Sequence, residues 1–251
     1  MLKTKLLHFF IAGILFLTYG CQSSTEQTKD PIQIQDTLSQ AKTSHKIDTV
    51  STRSEPRISL LTNQELNNLP DSSFVELLTV DSTFVLDMKY ATPDNFLKSK
   101  VYDCDKCLLR VKVAKALAKA QKAFADQGYR IKLFDCYRPL DVQKRMWALM
   151  PDKRYVGNPY QNGSVHNKGA AVDLTLVDAE GKEVDMGTSF DHFGREAHHA
   201  YTNLPQETLQ NRKLLKQGME SAGFLPITSE WWHYFYQNNR FPVANFKPAC
   251  P

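Results

Sequence analysis

Two short segments bring together residue types that can do chemistry as a set. Ser164-Val-His-Asn-Lys-Gly-Ala-Ala-Val-Asp173 offers His166 and Asp173, and Glu230-Trp-Trp-His233 adds a second imidazole with a carboxylate three residues before it. Two imidazoles and one carboxylate make the three-ligand set of a catalytic zinc site with the fourth position left for water, whereas structural zinc is closed by four protein ligands. Zinc lowers the pKa of such a water toward about 7, and a carboxylate outside the ligand set can take the proton as the water attacks a carbonyl. His166, Asp173 and His233 are therefore the expected ligands and Glu230 the expected general base. Each has a plainer reading when taken alone: a lone histidine is more often a hydrogen-bonded structural residue, and a tryptophan pair is core packing. Asp173 has the sharper claim, because a carboxylate among apolar residues on a buried strand is costly unless paired or metal-bound.

These side chains need elements that make them converge. Gly169 and the β-branched residues after it favour a loop feeding a strand over Ala171–Val177, which the turn Glu180-Gly-Lys182 closes. Trp231–Tyr236 reads as an aromatic strand, and on a regular strand Glu230 and His233 would face opposite sides. Glu230 therefore belongs at the irregular entrance to that strand. Leu109, Val113, Leu117, Ala120 and Phe124 recur at helical spacing until Gly128, Arg130–Cys136 reads as a strand, and Pro139 suits the first turn of a following helix. A further helix spans Gln206–Ala222 and stops at Gly223. Phe74–Val80 and Phe84–Met88 read as short strands around Asp81-Ser82, a hairpin-like spacing. Helices and strands mingle without regular βαβ alternation, so the expected class is α+β.

The 251 residues, 42% of them hydrophobic, suffice for one core with dispensable ends. Residues 1–20 have a basic start at Lys3 and Lys5 and an apolar run from Leu6 to Tyr19, the pattern of a signal peptide and too short for the roughly 20 residues of a bilayer-spanning helix. Cys21 then sits where bacterial lipoproteins are lipidated, with Thr18 in the usual leucine position; the alternative is cleavage to a soluble periplasmic protein. Residues 21–57 lack aromatics and read as a flexible tether, leaving 58–251 as the folded domain. The net charge of +4 falls to +2 without the leader lysines, which argues against a nucleic-acid partner. Cys104, Cys107, Cys136 and Cys250 form an even set in an exported protein, which suggests disulfides; four cysteines allow three connectivities, and sequence does not choose among them. Cys104-x-x-Cys107 lacks the second Cys-x-x-Cys that a zinc knuckle needs, so structural bridges are the reading for it too.

The same segments resemble the VanX-type D-alanyl-D-alanine dipeptidases: Ser164 to Asp173 matches Ser-x-His-x-x-Gly-x-Ala-x-Asp, and Glu230 to His233 matches Glu-Trp-Trp-His. Lys89-Tyr-Ala-Thr-Pro-Asp-Asn-Phe96, Asp135-Cys-Tyr-Arg-Pro139, Asp185-Met-Gly-Thr-Ser-Phe-Asp191, His198-His-Ala200 and Asn211-Arg212 extend the likeness in order from about Phe84 to Phe246. The resemblance implies a single domain of the fold shared with D-Ala-D-Ala carboxypeptidases and the hedgehog signalling domain, with a central, mainly antiparallel sheet flanked by helices. It implies one zinc ion on His166, Asp173 and His233, with Glu230 as general base and Arg138 at the scissile carbonyl, where a structural ion pair with Asp135 is the alternative. It also implies Asp191 against the ammonium of a small dipeptide, with Tyr90 and Ser164 lining the pocket, and no protein partner. Export separates this chain from the resistance dipeptidases, which are similar in sequence but act in the cytoplasm. A periplasmic or outer-envelope place, with a lipid anchor at Cys21 as the membrane attachment, fits turnover of wall dipeptides or D-alanine salvage. The rival readings are a carboxypeptidase trimming longer wall peptides and a non-catalytic, zinc-stabilised binding module.

Overall fold

A computed structural model describes residues 59–250. The leader, Cys21 and the tether lie outside the described residues. A Thr62–Glu65 capping box opens α1 (Asn63–Asn68). There follow β1 (Phe74–Glu76), α2 (Leu77–Val80), β2 (Val85–Leu86), β3 (Leu108–Arg110), α3 (Val111–Ala125), β4 (Arg130–Asp135), α4 (Leu140–Leu149), β5 (Ala171–Val177), α5 (Gln206–Ser221), β6 (Phe224–Pro226) and β7 (His233–Tyr236).

The central sheet runs β2-β4-β5-β7-β6, with β2 and β4 parallel and the other three pairs antiparallel. Together with the helices this is an α+β domain. Strand β5 lies in the middle and is buried at every position, which accounts for its unbroken apolar run around Asp173 and Thr175. Of the residues expected on this helix, Val113, Leu117, Ala120 and Phe124 are buried on α3, whereas Leu109 lies in β3 just before it. Phe124 packs so closely on α5 that a β-carbon at Gly218 would lie 2.2 Å from its ring. Pro139 stands at the N-cap of α4, one place before the expected first turn.

The hairpin expected around Asp81-Ser82 does not form. β1 pairs with β3 and β2 with β4, so the two segments join different sheets. Leu77 begins a helical turn instead, with its N–H donating to the Cys107 carbonyl at 2.8 Å and the Thr79 hydroxyl donating back to the Glu76 carbonyl at 2.7 Å. Asp81 caps a local turn by accepting from the N–H and hydroxyl of Thr83 at 2.8 and 2.6 Å. These side-chain bonds compete with a strand ladder, and alternation alone does not register them.

Disulfides join Cys104 to Cys250 and Cys107 to Cys136. The second ties the residue before β3 to the residue after β4, at a Cα separation of 5.3 Å. The first holds down a C-terminal strap that is bonded along its length: Pro242 accepts from Arg110 at 2.9 Å, Ala244 donates to Asn167 at 2.8 Å, and Phe246 accepts from the Tyr137 hydroxyl at 3.1 Å. Replacing Cys107 and Cys136 together by serine should lower the unfolding free energy by about 3 kcal/mol, because the bridge restricts the unfolded chain. Denaturant titration of the oxidised protein and the double variant measures this, and equal midpoints would show that the bridge adds nothing.

Candidate active site

His166 sits in a 3₁₀ turn at Val165–Lys168, which Ser164 caps by accepting from the His166 N–H at 3.3 Å, while the Asn167 side chain accepts from the Ser164 N–H at 2.7 Å. The turn ends at Gly169 in left-handed conformation, φ 68°, where a β-carbon would lie 2.3 Å from the Phe74 ring. Only glycine meets both demands. The chain then enters β5 and brings Asp173 directly opposite His233, the first residue of β7. Opposed residues of an antiparallel pair present their side chains on one face. Across the other edge of β5, an irregularity between Leu133 and Asp135 sets Asp135 opposite Asp173. That bulge substitutes a carboxylate for Phe134 at this register.

Three ligand atoms converge. His233 Nδ1 lies 2.8 Å from Asp173 Oδ1, His166 Nε2 lies 3.2 Å from His233 Nδ1 and 3.4 Å from Asp173 Oδ1. Donors at zinc bond lengths of about 2.0–2.2 Å in a tetrahedron stand roughly 3.3–3.6 Å apart, so small outward shifts suffice to seat an ion. The tautomer fits as well: His166 Nδ1 is 2.8 Å from the Cys136 carbonyl, and a proton donated there leaves the Nε2 lone pair facing the other two ligands.

Around this trio is a cavity of about 290 Å³ whose lining includes Glu230, Arg138, Asp191, Tyr90 and Ser164. The eight residues expected from sequence to bind metal, act in catalysis or contact substrate thus line one space; Cys21, expected as a lipidation site, lies outside the described residues. Glu230 lies in the turn before β7, at the irregular entrance expected for it. Burial raises its carboxyl above the ordinary glutamate range, with the imidazole of His233 opposing. Arg138 realises the ion pair with Asp135 and also lines the cavity. Its Nη1 donates to Gln143 Oε1 at 2.9 Å, whereas its Nε is buried without a hydrogen-bond partner among the described residues. Its hydrogen-bonding capacity is thus not fully used by protein partners. The two readings of Arg138 are therefore compatible, since Asp135 steadies the guanidinium without using it up.

Asp191 has φ 60°, unusual for a residue with a side chain, and accepts from the Tyr90 hydroxyl at 3.2 and 3.1 Å. Burial first, then the nearby Asp173 carboxylate, push its carboxyl well above the usual range. No cation pairs with it among the described residues. Sequence reasoning placed Asp135 only as a partner of Arg138. In the structure its Oδ1 also accepts from the Tyr102 hydroxyl at 2.5 Å and from the Cys136 N–H at 2.8 Å, and its Oδ2 is 3.6 Å from His166 Nδ1. Its place in Asp-Cys-Tyr-Arg-Pro, three residues before Arg138, was the available signal.

A family profile described as "D-ala-D-ala dipeptidase" matches residues 71–247. The D-alanyl-D-alanine dipeptidase of Escherichia coli is 35% identical over 180 residues, covering 71% of this chain and 93% of its own length. That of Enterococcus faecium is 33% identical, covering 64% and 89%. Among solved structures, a vancomycin-resistance D,D-pentapeptidase, VanY, in complex with Zn(II) aligns over 55% of this chain and 78% of its own, with 15% identity and a TM-score of 0.35.

The turn that carries His166 has a direct test. Gly169→Ala should lower the unfolding free energy by about 2 kcal/mol or more, since left-handed backbone and the Phe74 contact both penalise a methyl group. Urea unfolding followed by tryptophan fluorescence reads the change. A variant as stable as the parent would mean that this turn is free to adopt another path.

Proposed function

The chain belongs to the D-Ala-D-Ala dipeptidase family, and on that premise we propose that it hydrolyses the free dipeptide D-Ala-D-Ala to two D-alanines at a zinc centre held by His166, Asp173 and His233. The observation that carries this reading is the convergence of that ligand trio, Glu230, Arg138 and the cation-less Asp191 on one cavity.

Zinc bound by the trio supplies Lewis acidity and a water of lowered pKa. Asp191, steadied by Tyr90, holds the ammonium of the dipeptide and sets its carbonyl within reach of Arg138. The guanidinium, fixed in place by Asp135 and Gln143, donates to the oxygen that gains negative charge, so it stabilises the transition state more than the ground state. Glu230 takes the proton of the attacking water and returns it to the leaving amine. Its burial suits the role, because a carboxylate poorly solvated by water is a stronger base. Ser164 borders the pocket and fixes the backbone of His166.

Asp191 separates this reading from a carboxypeptidase acting on longer wall peptides. A buried carboxylate without a cation is costly, and the free ammonium of a dipeptide is the complement it lacks; an acylated peptide nitrogen carries no such charge. A binding module that keeps zinc only for stability would have no use for Glu230 and Arg138 in the same cavity. We also propose export and lipidation at Cys21, on the strength of the leader pattern and of two disulfides, which belong to an oxidising compartment. Wall-dipeptide turnover or D-alanine salvage is the role that suits such a place.

Glu230→Gln should keep stoichiometric zinc by metal analysis while D-alanine release falls about 1,000-fold; an active variant would remove Glu230 from the mechanism. N-acetyl-D-Ala-D-Ala should be cleaved at least about 100-fold less efficiently than the free dipeptide, in keeping with the loss of one buried ion pair. Comparable rates on the two substrates would favour the carboxypeptidase.

A further inference from the structure

Outside the cavity, α5 carries a buried cation with no carboxylate bonded to it. Arg212 is 5% exposed, and its three nitrogens all donate to main-chain carbonyls: Nε to Met186 at 2.7 Å, Nη1 to His198 at 3.2 Å and Nη2 to Glu196 at 2.9 Å. Burial lowers its pKa, with the charge of Asp185 opposing. A guanidinium placed this way costs desolvation, and the three carbonyl dipoles bonded to it are what compensate it.

The carbonyls belong to two segments that each hold part of the active site. Met186 opens the stretch that ends at Asp191. The same helix grips that stretch twice more, through Thr208 Oγ1 to Asp185 Oδ2 at 2.7 Å and Asn211 Nδ2 to the Asp185 carbonyl at 3.0 Å. Glu196 and His198 flank Ala197, whose carbonyl accepts from the Trp231 N–H at 3.0 Å, and the next residue, His199, donates its N–H to Thr228 at 3.1 Å. The turn that carries Glu230 therefore hangs from the 196–199 segment on both sides. One direct tie joins the two arms, Trp231 Nε1 to Thr188 Oγ1 at 2.8 Å.

We propose that Arg212 is a positioning residue for the reaction: without touching the substrate, it fixes the loop bearing Asp191 and the turn bearing Glu230 at the mutual spacing that one bound dipeptide requires. The inference rests on the dipeptidase reading. The ammonium site and the proton-transfer group come from segments about forty residues apart, and only the geometry between them makes a small zwitterion bind with its scissile carbonyl beside Glu230. Lysine cannot replace arginine in this role, because one ammonium cannot span three carbonyls.

The test compares the parent with Arg212→Lys and with Thr188→Val, which cuts the direct tie while nearly conserving volume. Zinc content, thermal midpoint, kcat and KM for D-Ala-D-Ala are measured on each, well below the midpoint. Arg212→Lys should bind one zinc per chain yet show KM raised at least about 10-fold together with kcat lowered at least about 10-fold, and Thr188→Val should move both in the same directions by about 3-fold. A purely structural Arg212 would lower the midpoint and leave kcat and KM of the folded protein unchanged, which overturns the proposal. If Arg212→Lys does not fold, Arg212→Gln, which keeps an amide donor for these carbonyls, is measured in the same way: shifted constants in the folded protein support the proposal and parental constants refute it. A parent without dipeptidase activity would instead refute the underlying function.

Discussion

The register of β5 against its two neighbours is the constraint on which the site depends. Asp173 faces His233 on β7 and Asp135 on β4, so a single row across three strands supplies two of the candidate metal ligands and the carboxylate that steadies Arg138. Side chains alternate between faces along a strand, and a slip of one residue would turn Asp173 into the apolar layer and put Val172 or Leu174 in its place. Full burial of β5 makes such a slip expensive, so the apolar core enforces the polar geometry. Gly169 and the Ser164 cap then bring His166 in from the side of the strand.

Four acidic groups, Asp135, Asp173, Asp191 and Glu230, crowd a small volume, and their different surroundings divide the work among them. Asp135 is held by Arg138, Tyr102 and a backbone N–H. Although burial alone would raise it, the carboxyl of Asp173 stays well below the usual range because both imidazoles face it. At Asp191 and Glu230 burial outweighs the opposing contacts with Tyr90 and His233 and pushes both carboxyls upward. Environment therefore sorts like carboxylates into a strut, a candidate metal ligand and two groups whose surroundings suit the proposed cation and proton.

Much of this was legible in the residues themselves. The continuous apolar run of Ala171–Val177 marked a buried strand, the 3.6-residue spacing marked α3, and the His-Asp and Glu-His segments marked the chemistry because few other arrangements use those types together. The failures have physical causes. Side-chain caps at Asp81 and Thr79 outweighed strand alternation and removed the expected hairpin. Disulfide partners are set by spatial neighbours, which spacing does not encode: Cys107 and Cys136 meet at the ends of β3 and β4, and Cys104 meets Cys250 through the C-terminal strap. Arg212 stood out only within the Asn211-Arg212 segment and without a role, since its partners are carbonyls from distant segments and leave no trace in side-chain type.

In the proposed centre two imidazoles and one carboxylate hold a metal with one vertex left to water. X-ray absorption at the zinc edge of the purified protein tests it most directly. The expected spectrum shows a first shell of nitrogen and oxygen at about 2.0–2.1 Å with two imidazole scattering patterns and no sulfur. A sulfur shell near 2.3 Å, or a site saturated by four protein ligands, would contradict it.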